Sequence, residues 1–416
     1  VTTLPPQPWI EEPATQALLD GLRSAGIAAR FVGGVVRDAL LGPPAAGGIA
    51  DIDLATPARP EEVVAALEKA GIKVVPTGIA HGTVTAVVSS PGRPRHYEIT
   101  TLRRDVETDG RRARVAFDAD WAEDAARRDF TINAIYLDPD GTLHDPVGGL
   151  ADLAARRVRF VGEAATRIAE DVLRVLRYYR FAARFGSGEG DPAARAACRA
   201  AVPLLPKLSA ERVARELTGL LGAANPVPSL RLMAEDRVLA AILPEATRPD
   251  RLEKLIAMEP EPDPLRRLAA LAAFDAEGAA RLAERLRLSS AWRDRFVGLA
   301  PPWPLDPAGD KRAQRHALYR LGAEHYRDLA LLIAAEGGMD AARLGELLAL
   351  AANWTPPAFP LAGRDVTAIG IPPGPRIGQL LGEVRAWWEA GDFTADRAAC
   401  LEKLEEVRGG EPDGAQ

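Results

Sequence analysis

A chain of 416 residues, 47% hydrophobic and 26% charged, with a net charge of −6, has the composition of an ordinary globular protein of two to four domains. No apolar run approaches a membrane span, and the N-terminus lacks the charged-then-apolar pattern of a signal peptide, so neither membrane attachment nor export is expected. Two cysteines and five histidines, none at ligand spacing, argue against a zinc enzyme, a disulfide scaffold or a His-based hydrolase and point to a reducing cytoplasm.

In chain order, residues 1–12 are Pro-rich and read as irregular, and a first helix is expected over Thr15–Ala25. The apolar run Phe31-Val32 then ends in Gly33-Gly34. Glycines at a strand end let backbone N–H groups approach a phosphate closely, because no Cβ intervenes. A helical segment carrying Arg37 and Asp38 follows, then Asp51-Ile52-Asp53 between apolar neighbours. In a strand, Asp51 and Asp53 project from one face. Two carboxylates so close disfavour joint ionisation unless a cation lies between them, and a hard ion such as Mg²⁺ takes carboxylates together with phosphate oxygens. Singly, a Gly-Gly turn or an Asp-x-Asp loop carries little weight; their order, a helix apart, reads as a metal-and-triphosphate site.

A helix over Pro60–Ala70 and strands at Lys73–Val75, Val84–Val88 and His96–Leu102 complete a small α/β sheet domain. Glu98, in the last strand, reads either as a third carboxylate of the metal site or as a solvent-facing strand residue. Arg103–Val115 is polar, charged and broken by Gly110, the composition of a mobile loop whose arginines either reach phosphates or are solvated. Arg127, Arg128 and Asp129 precede an apolar run. If that run is helical, Asn133 shares a face with Asp129, to meet a ribose, brace the site or stabilise a helix end. Strand signals end at Val158–Gly162, and Ala/Leu/Arg-rich helical periodicity continues nearly to the end.

The helix read over Glu170–Phe185 carries Arg174, Arg177, Arg180 and Arg184 as one basic stripe. Asp171 and Arg174, one turn apart, form either an intrahelical ion pair or a rigid acceptor beside a donor. Cytosine and adenine both present an exocyclic amine next to an unprotonated ring nitrogen. Such a couple accepts these two bases and rejects guanine and uracil, by about 1–3 kcal/mol per bidentate contact. The other arginines suit a triphosphate or an RNA backbone.

Four stretches together carry a resemblance: Gly33-Gly34-Val35-Val36-Arg37-Asp38, Asp51-Ile52-Asp53, Arg127-Arg128-Asp129-Phe130-Thr131-Ile132-Asn133-Ala134 and Glu170-Asp171-Val172-Leu173-Arg174. Their order and spacing resemble those of the class II CCA-adding enzymes, the tRNA nucleotidyltransferases, with which bacterial poly(A) polymerases are grouped. Ser209–Leu221 and Pro360–Gly378 are similar as well. The resemblance implies an α+β protein. Its parts are a polymerase-β-like nucleotidyltransferase head over 1–150 (a small mixed sheet with helices), then an all-α neck over 151–225, body over 226–345 and tail over 346–416. It implies Mg²⁺-dependent addition of C, C and A to the tRNA 3′ end from CTP and ATP. Asp51 and Asp53 are then the metal ligands, and Gly34, Arg37, Arg128, Arg177 and Arg180 nucleotide contacts. Asp171 and Arg174 select the base. Glu98 has no firm family counterpart. A monomer or weak dimer is expected, with the tail on tRNA. The alternatives are a poly(A) polymerase, an enzyme adding only CC or only A, a small-molecule nucleotidyltransferase, or a non-catalytic RNA-binding helical protein. The intact Arg103–Trp121 segment and the acidic EEVRGGEPDGAQ end favour full CCA addition among the enzymes.

Overall fold

The computed structural model describes residues 2–42, 52–90, 94–109, 112–117 and 120–409, with 77, 80, 104–109 and 112–115 described by backbone alone. Contacts divide the chain into two compact units, the first ending at Pro249 and the second starting at Asp250. The expected parts 1–150 and 151–225 lie inside the first, 346–416 lies inside the second, and 226–345 falls in both.

The first unit opens with α1 (Pro8–Glu11) and α2 (Pro13–Ser24), followed by β1 (Arg30–Val32) and α3 (Gly34–Leu41). Residues 1–12 are thus not irregular throughout: Trp9 and Ile10 are buried, and Trp9 meets Phe31 edge-on. β2 (Ile52–Thr56), α4 (Pro60–Lys69), β3 (Lys73–Gly78), β4 (Thr83–Val88) and β5 (Arg95–Thr101) follow. With β8 (Tyr136–Leu137) and β9 (Leu143–His144), these strands make a seven-stranded sheet of order β3-β4-β5-β2-β1-β8-β9. β2 and β5 run parallel and the other pairs antiparallel, giving the mixed sheet expected.

Strand alternation sets the two faces of this sheet. Ile52, Leu54, Val84, Ala86, Tyr97 and Ile99 are buried, on the side where α2 packs against α4 and β4 and where the Thr15 and Tyr97 hydroxyls lie 2.9 Å apart. Asp53, Thr85 and Glu98 occupy the alternate positions and retain access to solvent.

Three sequence expectations are corrected here. Within Arg103–Val115 the described residues are not a loop: β6 (Arg104–Asp109) pairs antiparallel with β7 (Arg112–Ala116). The base of this pair is seated: Arg103 donates to the His81 carbonyl, and Phe117 lies where a Cβ on Gly82 would be, 2.6 Å away. Val158–Gly162 forms no strand beyond an isolated bridge of Phe160 to Phe130. The run after Asp129 is not an α-helix: α5 (Trp121–Ala126) ends before it, and only a single 3₁₀ turn, Thr131–Asn133, follows.

The rest of the unit is helical: α6 (Gly149–Ala154), α7 (Ala164–Glu170), α8 (Leu173–Phe185), α9 (Pro192–Ala201), α10 (Ala210–Leu221), α11 (Val227–Glu235) and α12 (Val238–Ile242). α8 is amphipathic. Its buried face carries Leu173, Val175, Leu176, Tyr178, Tyr179 and Phe181, and it packs on α10 and α11. The Tyr179 hydroxyl donates to Asp236 at 2.7 Å and its carbonyl accepts from Ser229 at 2.6 Å, which fixes the rotation of α8 about its axis.

The second unit is all α, from α13 (Pro249–Met258) to α22 (Arg397–Gly409). Glu259 and Asp328, almost fully buried, are ion-paired by Arg266, Arg267 and Arg295. Leaving either acid without its partners would cost far more than the pairing contributes. Near the C-terminus a second core gathers Leu361, Val366, Leu380, Val384, Trp388, Cys400 and Leu404.

Candidate active site

Gly33 caps α3 with φ +76° and ψ −131°, a backbone state that disfavours any side chain. A Cβ placed on it would lie 3.5 Å from Asp53 Oδ2. The turn after β1 therefore sits directly against the carboxylate on β2. The leading N–H groups of α3, beginning at Gly34, have no acceptor within the helix, the arrangement that receives phosphate oxygens.

In register, Asp53 pairs with Glu98 of β5, and Glu98 in turn with Thr85 of β4. Asp53 and Glu98 are thus neighbours on the open face, one half-buried and one exposed. Asp51 lies outside the described residues. Among the described residues no three His, Cys, Asp or Glu side chains gather at ligating spacing. Oxygen donors from adjacent strands, open to solvent and beside a phosphate-sized turn, suit a hard divalent ion.

From α3 a polar chain runs to the helical part. Arg37 is almost fully buried, its Nη1 donating to Asn133 Oδ1 at 2.6 Å and its Nε to Asp38 Oδ1 at 2.9 Å. Its guanidinium carbon lies 4.0 Å from the Phe185 ring centroid, and burial lowers its pKa despite Asp38. Asn133 donates to Asp129 Oδ1 at 3.0 Å, so the two residues do meet, across a 3₁₀ turn instead of along a helix. Asp129 Oδ2 accepts from Arg177 Nε at 2.9 Å and Nη2 at 2.5 Å. Burial alone would raise the Asp129 pKa, but Arg177, Asn133 and the Phe130 N–H outweigh it and hold the carboxyl below its usual range. Beyond Arg177, Glu216 of α10 approaches at 4.0 Å and pairs with Arg180 at 2.6 Å.

Arg128 is held on a separate anchor. Asp124, 1% exposed, accepts from Arg128 Nη2 at 2.9 Å, Arg127 Nε at 2.8 Å and the Tyr136 hydroxyl at 2.7 Å. Burial works to raise the Asp124 pKa and these donors lower it; the net direction is down.

The expected helix over Glu170–Phe185 is interrupted. α7 ends at Glu170, and Asp171 is extended, with φ −153° and ψ 107°. Its Oδ1 accepts from the Leu173 N–H at 3.1 Å, so the side chain caps the first turn of α8. Its Oδ2 accepts from Arg212 of α10 at 2.6 Å. Arg174 is not its ion partner: the guanidinium is paired with Glu170, and Nη1 donates to the Arg167 carbonyl at 2.9 Å. The two residues stay joined through the backbone, Arg174 N–H to Asp171 carbonyl, at 3.0 Å. The stripe is real but engaged, Arg177 on Asp129, Arg180 on Glu216 and Arg184 3.5 Å from Asp38.

Sequence reasoning passed over Asp124, Arg212 and Glu216. The i,i+4 spacing of Arg212 and Glu216 on an amphipathic helix was the available signal.

Residues 29–159 match the poly A polymerase head domain, and residues 191–248 the probable RNA and SrmB-binding site of polymerase A. The chain is 33% identical to CCA tRNA nucleotidyltransferase 1, mitochondrial, of Danio rerio, over 90% of this chain and 86% of that protein. It belongs to the CCA tRNA nucleotidyltransferase family. The CCA-adding enzyme of Leuconostoc citreum is 42% identical over 56% of this chain and 55% of that enzyme. The crystal structure of the Bacillus stearothermophilus CCA-adding enzyme in complex with CTP superposes with a TM-score of 0.75 at 29% identity, covering 97% of this chain and 98% of that one. The nucleotidyltransferase head and the α+β class are thereby shown, and enzymes of this family use a divalent metal. Among the described residues no helix is long and apolar enough to cross a membrane.

Proposed function

We propose that this protein adds C, C and A to the 3′ end of tRNA from CTP and ATP, without a nucleic-acid template and with Mg²⁺, releasing pyrophosphate. The observation that carries the reading is the 33% identity to a CCA tRNA nucleotidyltransferase along 90% of the chain. Residues 1–150 serve as catalytic head, 151–225 as base-selecting neck, 226–345 as helical body and 346–416 as the tail on the tRNA. A reducing cytoplasm suits the two buried free thiols, Cys198 and Cys400.

The tRNA 3′-oxygen forms a bond to the α-phosphorus of the incoming nucleotide while the bond to the pyrophosphate oxygen breaks. Asp51 and Asp53, with Glu98 beside Asp53, would hold Mg²⁺. When bound, the ion supplies a lowered pKa at the attacking hydroxyl and charge neutralisation at the triphosphate. The Gly33-Gly34 turn and the leading amides of α3 take phosphate oxygens, and Arg128, Arg177 and Arg180 line the nucleotide. Asp171 and Arg174 present acceptor and donor to the base. Arg37, which the resemblance implies as a nucleotide contact, is instead read as bracing: buried on Asn133, Asp38 and the Phe185 ring, it holds the head segment against α8 together with Asp129 and Asn133, so positioning supplies much of the acceleration.

The test is incubation with tRNA lacking its 3′ CCA, with CTP alone, ATP alone or both, followed by product sequencing. Two added C, nothing and CCA are the expected results, and Asp53→Ala should retain tRNA binding and give no product. The family models' poly(A) polymerase descriptions favour poly(A) addition as a second reading. Long A runs from ATP alone would establish it in place of CCA addition.

A further inference from the structure

Gly219 sits inside α10, where glycine weakens a helix relative to alanine, and its backbone has no positive φ to require it. Packing against the neighbouring helix is what it permits. A Cβ on Gly219 would lie 2.7 Å from Cδ of Arg180, and the three nearest atoms it would meet all belong to Arg180. The nearest of them, Cδ, and Cγ behind it at 3.7 Å are in the middle of the arginine, so a methyl there cannot be accommodated by swinging the guanidinium tip alone. The α8 side of this contact is fixed, because Tyr179, the adjoining residue, is bonded to Asp236 and Ser229. Arg180 crosses α10 through the gap at Gly219 and ends on Glu216, 5% exposed, at 2.6 Å.

We infer that Gly219 is a positioning residue for nucleotide binding: the missing side chain opens the lane along which Arg180 reaches its working place beside Arg177. The inference rests on the reading of Arg180 as a nucleotide contact. Arg180 aligned by Glu216 keeps its guanidinium next to the Arg177–Asp129 pair, 29% of its side chain open to solvent. Displaced, it would leave that row.

The experiment compares four full-length proteins, wild type, Gly219→Ala, Arg180→Ala and the double variant, in steady-state addition of CTP to tRNA lacking CCA. Gly219→Ala and Arg180→Ala should each raise KM for CTP about ten-fold, the loss of one charge-assisted contact, with kcat changed less than about two-fold. The double variant should match Arg180→Ala, since no arginine remains to be displaced. Gly345→Ala, a helical glycine with nothing within 4 Å of its added Cβ, is the control and should keep wild-type kinetics. Wild-type KM in Gly219→Ala, or a double variant worse than Arg180→Ala, overturns the inference. Should Gly219→Ala lower the melting temperature, removal of Arg180 must restore it, and failure to do so also overturns it. An Arg180→Ala protein with unchanged KM instead removes Arg180 from the nucleotide site, which is a failure of the parent reading.

Discussion

Asp171 gives one carboxylate oxygen to Arg212 at 2.6 Å and the other to the Leu173 N–H at 3.1 Å, while Arg174, three residues on, is held by Glu170. The two side chains thus do not neutralise each other. Each is aimed by its own partner, one on α10 and one at the end of α7. On the proposed reading of the pair as the base-selecting couple, side chains fixed this way would keep their spacing when a base arrives, which a mutual ion pair would not.

Arg212→Ala should therefore loosen base choice before it slows transfer. With the Arg212 contact gone, Asp171 can turn toward Arg174 and the couple collapses. We expect the ratio of kcat/KM for CTP over UTP to fall about ten-fold, within the range of one bidentate base contact. The rate with saturating CTP should change much less. Competing CTP and UTP on one tRNA and sequencing the products gives the ratio; an unaltered ratio would show that Arg212 has no part in selection.

The Asp129–Arg177 bond joins the segment after α5 to the helix that carries the arginine stripe, and it makes that junction acid-sensitive. Asp129 has its pKa depressed in the folded protein, against about 3.9 when unfolded. A depressed carboxyl adds stability that is fully present above the unfolded pKa and is lost as pH falls through the folded one. Asp129→Asn should thus melt below the wild type at pH 7, and the gap should narrow as pH drops below about 4. Thermal melts of both proteins across pH 3 to pH 7 decide it, and a gap of constant size would mean that the carboxylate charge is not what holds the joint.

The sequence was legible where the chemistry was local. Gly33 beside Asp53 follows from the order of a turn, a helix and a strand, and the pairing of Asp129 with Asn133 from their spacing, although the backbone between them is 3₁₀. The break at Asp171 was hidden because no Gly or Pro marks it. An aspartate can satisfy backbone amides with its own side chain, so helical periodicity runs on through a chain that has left the helix. The hairpin of β6 and β7 was masked by charge, though Asp109-Gly110 followed by the alternation Arg112-Ala113-Arg114-Val115 is a hairpin signal. Arg212 and Glu216, despite their i,i+4 spacing, were passed over as site residues because a charge on an amphipathic helix defaults to solvent. Only packing on α8 reveals Glu216 as buried.

Support beneath the Asp129 segment yields a prediction about stability. Thr131, two residues on, donates its N–H to the Arg159 carbonyl at 3.0 Å and its hydroxyl to Asp152 at 2.6 Å. Asp152 is fully buried and also accepts from Arg157 and Arg159. α6 crosses this turn at Gly149, where an added Cβ would lie 2.2 Å from the Thr131 carbonyl oxygen and 2.9 Å from Ile135 Cγ1. Neither side can give way easily: the Thr131 backbone is pinned as described, and the Gly149 and Leu150 amides are bound by Asp145 at 2.7 and 2.9 Å. Gly149→Ala should accordingly destabilise the protein by about 1–3 kcal/mol through overpacking. That corresponds to a fall of roughly 2–10 °C in melting temperature for a unit of this size. Transfer should also weaken, because shifting Thr131 shifts Asp129 and Asn133 with it. A variant that melts with the wild type would show that this crossing yields freely, and the joint it supports could not then be the rigid one on which Arg177 is placed.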